Sequence, residues 1–233
     1  MTETNYADRI NALLAKAASS THEAEREVFT EKAERLMVKW GIDDAMLTDA
    51  AKADKQRQRV AIEERRYTVE GPNGALLAEL VASVAARGVG PIRTLISRGG
   101  RDWWAIGYTD DLARVELYVP HLVDEARRAW KQHLAEAVYN HDTLRNRARI
   151  AFLSSFGWAV KQRLDALFVE VTTTAGGTGE LVLADRSREV ERELYRRNPL
   201  SRSVAARRTR DWSARLAGWS AGEAASLAAG ALE

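Results

Sequence analysis

The 233-residue chain contains no cysteine. Disulfide scaffolds, thiolate zinc sites, iron–sulfur clusters and cysteine nucleophiles are therefore excluded. Long apolar runs are missing too. The longest, Ala75 to Ala86, is broken by Glu79 and Ser83, and the opening MTETNYADRI is polar and acidic with no signal-peptide core. A soluble, cytoplasmic protein with no membrane partner is the expectation. Charge of one sign is also lacking: 35 basic residues nearly balance 33 acidic ones, for a net +2. That is not the coat of a globally basic nucleic-acid binder. Catalytic signatures are absent as well. His22, His121, His133 and His141 show no HExxH or other ligand spacing, and no serine sits in a G-x-S-x-G elbow. The run TTTAGGTG at residues 172–179 lacks the lysine of a phosphate loop and reads as leading into a strand. Asp102 and Asp185, at the ends of expected strands, have no third carboxylate or lysine at a nuclease-like spacing, so turn or helix capping is the expected role. No cofactor, metal site or enzymatic activity is expected.

What the chain has is core-forming capacity, with 45% apolar residues and seven tryptophans. Its length fits one large domain or two small ones. The small net charge hides an uneven distribution. Residues 1–142 carry a slight acidic excess, whereas residues 143–233 hold 15 basic and 10 acidic groups. Six arginines, Arg196, Arg197, Arg202, Arg207, Arg208 and Arg210, fall in fifteen residues without one acid. Arginine outnumbers lysine 28 to 7, a ratio that a GC-rich genome explains without any functional cause.

Along the chain, Ile10, Leu13, Leu14 and Ala17 have helical spacing, and Ser20 to Glu23 has the form of a capping box opening a second helix. Gly41 is placed to end that helix, with a short third helix over 44–51. Residues 52–59, KADKQRQR, offer nothing to a core. The expected organisation is thus a helical hairpin module at 1–51, a charged linker at 52–62, and a larger domain at 63–233. In that domain, Arg66 to Glu70 reads as a strand, and Ala75 to Ala86 as a helix capped by Asn73. Ile92 to Ser97 and Trp103 to Tyr108 read as a hairpin turning at Gly99-Gly100. Asp110 and Asp111 should cap a long helix that Pro120 kinks or splits. A further helix spans about 144–169, Leu181 to Ala184 reads as a short strand, and Arg186 to Arg197 as a charged helix stopped at Asn198-Pro199. The last helix, about 210–229, carries Trp212, Leu216, Trp219 and Leu227 beside the small residues Ala214, Gly218, Gly222 and Ala225, which suggest close backbone approach. The fold class is α+β: the hairpin module plus a small sheet of three or four strands covered by long helices.

The segment RINALLAKAASSTHEAEREVFTEKAERLMVKWGID, through Ile10, Leu13, Leu14, Ala17, Glu23, Glu25, Ala33, Leu36, Met37 and Trp40-Gly41-Ile42, resembles a small helical domain of phage and actinobacterial proteins, the domain of unknown function 2786. IGYTDDLARVELYVPHLV, FLSSFGWAVKQRL and LVLADRSREVE are similar to the domain that commonly follows it. The resemblance implies an organisation and a phage-like setting. It carries no reaction and no catalytic residue.

Two places interleave basic and aromatic groups. One is the 196–210 segment, flanked by Tyr195 and Trp212, where arginines contact phosphate or else pair with Glu189, Glu191, Glu193 or Asp211. The other is the hairpin, with Arg93, Arg98 and Arg101 beside Trp103 and Trp104. Adjacent strand tryptophans face opposite sides, so at most one enters a one-sided core and the other is covered by a helix or left as a partner surface. These features point to a non-enzymatic accessory protein in a DNA or RNA transaction, with Arg196, Arg197, Arg202, Arg207, Arg208, Arg210, Arg98 and Arg101 on phosphate. Trp103, Trp104 and Trp212, together with the helical module, would meet a protein partner. The alternative is a protein-interaction module that modulates a larger DNA-processing enzyme without touching nucleic acid. Composition and pattern do not fix the oligomeric state.

Overall fold

Tyr6, Ile10, Leu14 and Ala17 recur on one side of the first helix, α1 (Glu3–Ser19), and all four are buried. In the computed structural model, which describes residues 3–53, 61–88, 90–97, 99–174, 178–199 and 211–225, α1 folds back on α2 (Glu23–Ala53). The turn is held by Ser20, whose hydroxyl accepts the His22 N–H (3.2 Å) and donates to Glu25 (2.8 Å). Contrary to the expected stop at Gly41, α2 runs unbroken through it and takes in the supposed third helix. Gly41 is buried against Arg114, whose guanidinium would lie 3.4 Å from an added Cβ. Its smallness makes room for a side chain rather than ending a helix.

The strands are β1 (Ile62–Thr68), then, after α3 (Gly74–Gly88), β2 (Arg93–Ile96) and β3 (Asp102–Tyr108). They form one antiparallel sheet in the order β1-β3-β2. The expected hairpin is present, and Gly99 supplies its positive φ of 70°. Alternation then sorts the side chains. Trp103 and Ala105 enter the main core, while Ile106 and Tyr108 face the other way, onto Val190 and Leu194.

The remaining helices are α4 (Thr109–Glu136), α5 (Asp142–Thr174), α6 (Thr178–Arg197) and α7 (Trp212–Glu223). α4 continues through Pro120 without splitting, and its N-cap position is Tyr108, not Asp110 or Asp111. Leu181 to Ala184 is not a strand. It belongs to α6, where Leu183, Arg186 and Val190 recur at helical spacing on the buried side. The charged residues between them masked the period. The chain after the Gly176-Gly177 stretch is therefore helical, and the missing lysine remains the argument against a phosphate loop.

α5 is the axis of the molecule. Ala148, Phe152, Leu153, Phe156, Val160 and Leu164 are buried on several of its sides, because α2, α3, α4 and α7 all pack on it. Trp40, Met37 and Ile10 of the N-terminal hairpin lie in the same core as Leu77, Trp103 and Phe152. Of the expected linker, residues up to Ala53 are helix and Ile62 opens β1, while 54–60 lie outside the described residues. No described helix is long and apolar enough to cross a membrane.

Candidate functional site

α3, α5 and α7 begin at the same end of the molecule. On one side of α5, Arg149 Nη1 donates to Asn73 Oδ1 (2.7 Å), and Gly157 lies against Leu80. On the other, Gly218 lies on the backbone of Phe152 and Gly222 on that of Phe156. Both sets of contacts advance together along the chain, so the three helices are parallel. Their first-turn N–H groups and the positive ends of their dipoles share one direction.

Local sequence explains each start. Asp211 caps α7, its Oδ1 accepting the Ala214 N–H (3.0 Å). Asp142 opens α5 and pairs with Arg145. Asn73, at φ 62°, accepts the Leu77 N–H on its main-chain carbonyl (3.0 Å). Its side chain serves Arg149 instead of the expected helix cap.

Arginines gather around these starts. Arg101, from the β2–β3 turn, lays its stem on Gly74, where an added Cβ would come within 3.0 Å, and stands 3.7 Å from the exposed Glu70. Arg127 of α4 donates to the Glu70 carbonyl. Arg145 and Arg149 line a cavity of about 390 Å³ with Trp130, Leu134, Asp142 and Asn146. Arg147 is exposed. On α7, Trp212 is 72% exposed, with the Arg215 guanidinium 5.5 Å from its ring. Such an end offers salt-dependent contacts to phosphate and one aromatic face for stacking.

The sequence-derived residues distribute unevenly. Arg196 and Arg197 both hold Glu193, at 2.5 and 2.6 Å, and Arg197 also donates to the Ile62 carbonyl (2.8 Å). Those two bonds draw the Glu193 carboxyl down to about 2. Arg98, Arg202, Arg207, Arg208 and Arg210 lie outside the described residues. Trp103 is fully buried, stacked on Tyr67 with ring centroids 4.7 Å apart. It belongs to the core and presents nothing to a partner. Trp104, on the opposite face, is half-buried with Arg66 5.9 Å from its ring. Arg93 is engaged with Ser187 and Glu191 of α6. Asp102 is held by Arg66 and Thr68, which lower its pKa, whereas Asp185 pairs with Arg188 on α6. They occupy different elements near opposite ends of β2. Among the described residues no group of three or more His, Asp or Glu side chains is placed to hold a metal ion.

Two buried ionic clusters escaped the sequence reading. Glu34 of α2 accepts from Arg163 Nη2 (2.7 Å) and from the Tyr118 hydroxyl (3.4 Å). The same guanidinium donates to the Gly222, Glu223 and Ala225 carbonyls at 2.7–3.1 Å, closing the C-terminal end of α7. Burial pushes the Glu34 carboxyl up while Arg163 pulls it down. In the second cluster, Asp111 pairs with Arg114 and with Arg186 (3.4 Å), all three buried. Arg114 lies 5.2 Å from the Trp40 ring and Arg186 4.1 Å from that of Tyr108. The available signal was positional: 111, 114, 118 and 122 lie on the same stripe of α4 as its apolar groups.

Residues 5–44, the helical hairpin, match the profile of a family described as a protein of unknown function, DUF2786. No curated protein and no solved structure matches the chain.

Proposed function

We propose that this chain is a non-enzymatic accessory protein that contacts nucleic-acid phosphates at the end where α3, α5 and α7 begin. The observation that carries the reading is convergence. Arginines from the β2–β3 turn, from α4, from α5 and from α7 stand around three parallel helix starts. The segment bearing Arg202, Arg207, Arg208 and Arg210 joins this end covalently at Asp211. Arg196 and Arg197, at the far end of that segment, share the single carboxylate of Glu193.

Fluorescence anisotropy with random duplex and single-stranded DNA, across a salt series, tests the proposal. Affinity falls steeply as salt rises. Replacing Arg145, Arg147 and Arg215 with Ser weakens binding on all sequences alike and lowers the salt slope by about one per lost phosphate contact. Serine at Arg207, Arg208 and Arg210 does the same, whereas serine at Arg196 and Arg197 has little effect. No binding at low salt overturns the reading.

The exposed Trp212 and Leu216 on the outward side of α7, 72% and 62% accessible, favour a second reading, a protein-interaction module. In that case a single stoichiometric partner co-purifies without nucleic acid. Its binding is salt-tolerant and is lost on Trp212→Ala rather than on the arginine replacements.

A further inference from the structure

Among the described residues β1 is an edge strand, bonded to β3 on one side only. The Val69 N–H donates to the Arg101 carbonyl (3.0 Å) and the register pairs Thr68 with Asp102. In an antiparallel ladder, main-chain groups alternate between facing the partner and facing away. Residues 63, 65 and 67 therefore bond β3, while Ile62, Glu64, Arg66 and Thr68 direct their N–H and C=O groups outward. Arg197 takes the Ile62 carbonyl (2.8 Å). The outward groups of Glu64, Arg66 and Thr68 meet no partner among the described residues, and all three residues are exposed. An uncovered edge of this kind is a template for another strand. Beside it runs a groove of about 410 Å³ between β1 and α4, lined by Tyr67, Val69, Val115, Val119, Pro120 and Val123 among others.

We infer that this edge pairs with β1 of a second copy of the chain, giving a two-fold symmetric dimer with a continuous six-stranded sheet. The sequence IEERRYT selects the partner through its charges. An antiparallel pairing centred on Arg65 sets Glu64 opposite Arg66 of the other copy, twice by symmetry, with Ile62 opposite Thr68. The outward groups of both strands then complete four main-chain hydrogen bonds between residues 64 and 66. A slip of two residues in either direction faces Glu64 with Glu64 or Arg66 with Arg66, and a slip of one opposes outward groups with inward ones. Arg66 has donors to spare beyond its bond to Asp102 (2.7 Å). The two Arg65 groups that meet on the axis are each already held by Glu63 (2.8 Å) and Glu116 (2.9 Å), so four carboxylates surround them. An isologous contact of this form closes on itself and leaves no further edge on β1.

The absence of cysteine allows a direct test on the full chain. Residue 65 forms a non-hydrogen-bonded pair with its own copy, where Cα atoms are about 4.5 Å apart and a disulfide fits. Arg65→Cys is expected to form an intersubunit disulfide under mild oxidation, while Ile62→Cys, which faces Thr68, forms no cross-link. Sedimentation equilibrium should give twice the chain mass for the wild type and the single mass for Glu64→Arg and for Arg66→Glu. The double exchange Glu64→Arg with Arg66→Glu should restore the dimer, since it inverts both members of each pair. Far-UV circular dichroism checks that every variant is folded, and the restored double variant shows that the single changes act on pairing. A monomeric wild type at high concentration, equal cross-linking at positions 62 and 65, or a double variant as monomeric as the singles overturns the inference.

Discussion

Glu193 is the residue whose titration reports most directly on the arginine segment. Its carboxyl is drawn from an ordinary 4.5 to about 2 by hydrogen bonds from Arg196 and then Arg197. Because the folded value is the lower one, the unfolded chain takes up the proton first as pH falls. The stabilisation is complete above about pH 4.5 and is lost as pH falls toward 2. Arg196 is 70% exposed, so solvent screening keeps the pair's contribution to stability small. Carboxyl chemical shifts followed through an acid titration should show Glu193 protonating well below the ordinary glutamate value, and Glu193→Gln should flatten the acid limb of the urea midpoint. The pair also bears on the proposed phosphate contact, since Arg196 or Arg197 would have to leave a carboxylate to reach a phosphate. The Glu34–Arg163–Tyr118 cluster differs in kind. Glu34 and Tyr118 are buried, the cluster joins α2, α4 and α5 to the C-terminal end of α7, and removing Arg163 alone would leave Glu34 unpaired in the core.

Among the elements, α7 shows how a helix chooses its inward face. Two of its three large apolar residues, Trp212 and Leu216, are exposed and Trp219 is half-buried, while its buried residues are Ala214, Gly218 and Gly222. The cause is proximity. An added Cβ at Gly218 would lie 2.2 Å from the Phe152 carbonyl oxygen, and one at Gly222 would lie 2.5 Å from that of Phe156. Glycine in a helix costs about 1 kcal/mol relative to alanine, and here that cost is offset by close packing along α5. Gly218→Ala should therefore destabilise by about 1–3 kcal/mol in spite of its better helix propensity. Leu216→Ala should change stability by no more than about 0.5 kcal/mol. Thermal melts of the two variants check both. The small-residue stripe was readable in the sequence as a sign of close approach. What could not be read was that Trp212 and Leu216 beside it would be left out, because that depends on how near α5 comes.

For the whole molecule, the shared core sets the expectation. Trp40, Met37 and Ile10 pack in the same cluster as Leu77, Trp103 and Phe152, and the Tyr6 ring lies parallel to that of Trp40 at 6.2 Å. The helical hairpin should accordingly unfold with the rest of the chain. Tryptophan fluorescence and far-UV circular dichroism should report coincident urea transitions, and Trp40→Ala should shift both together. An early transition confined to helix content would show instead that residues 3–53 melt alone. The proposed phosphate-binding end is also a property of this scale, since its arginines come from four elements that only the packing around α5 brings together.

The sequence by itself determined the periodic features: the α1–α2 hairpin, the β2–β3 turn at Gly99-Gly100, the long α4 and α5, and the glycines of α7. Each depends on side-chain period or local turn chemistry, which neighbouring residues fix among themselves. Local readings failed where a distant group decided the outcome, as at Asn73, whose side chain is taken by Arg149 instead of capping α3. Gly41 is interior to α2 because Arg114 of α4 occupies the space beside it, and Leu181 to Ala184 is helical because Val182 and Leu183 pack on Val38, Ile42 and Leu167. Tertiary structure also decided which of Trp103 and Trp104 is buried, and which arginines are consumed by Glu34, Asp111 and Glu193. Charge counts along a chain are blind to such pairings. A guanidinium reaches its carboxylate through space, and only the folded arrangement sets which one lies within reach.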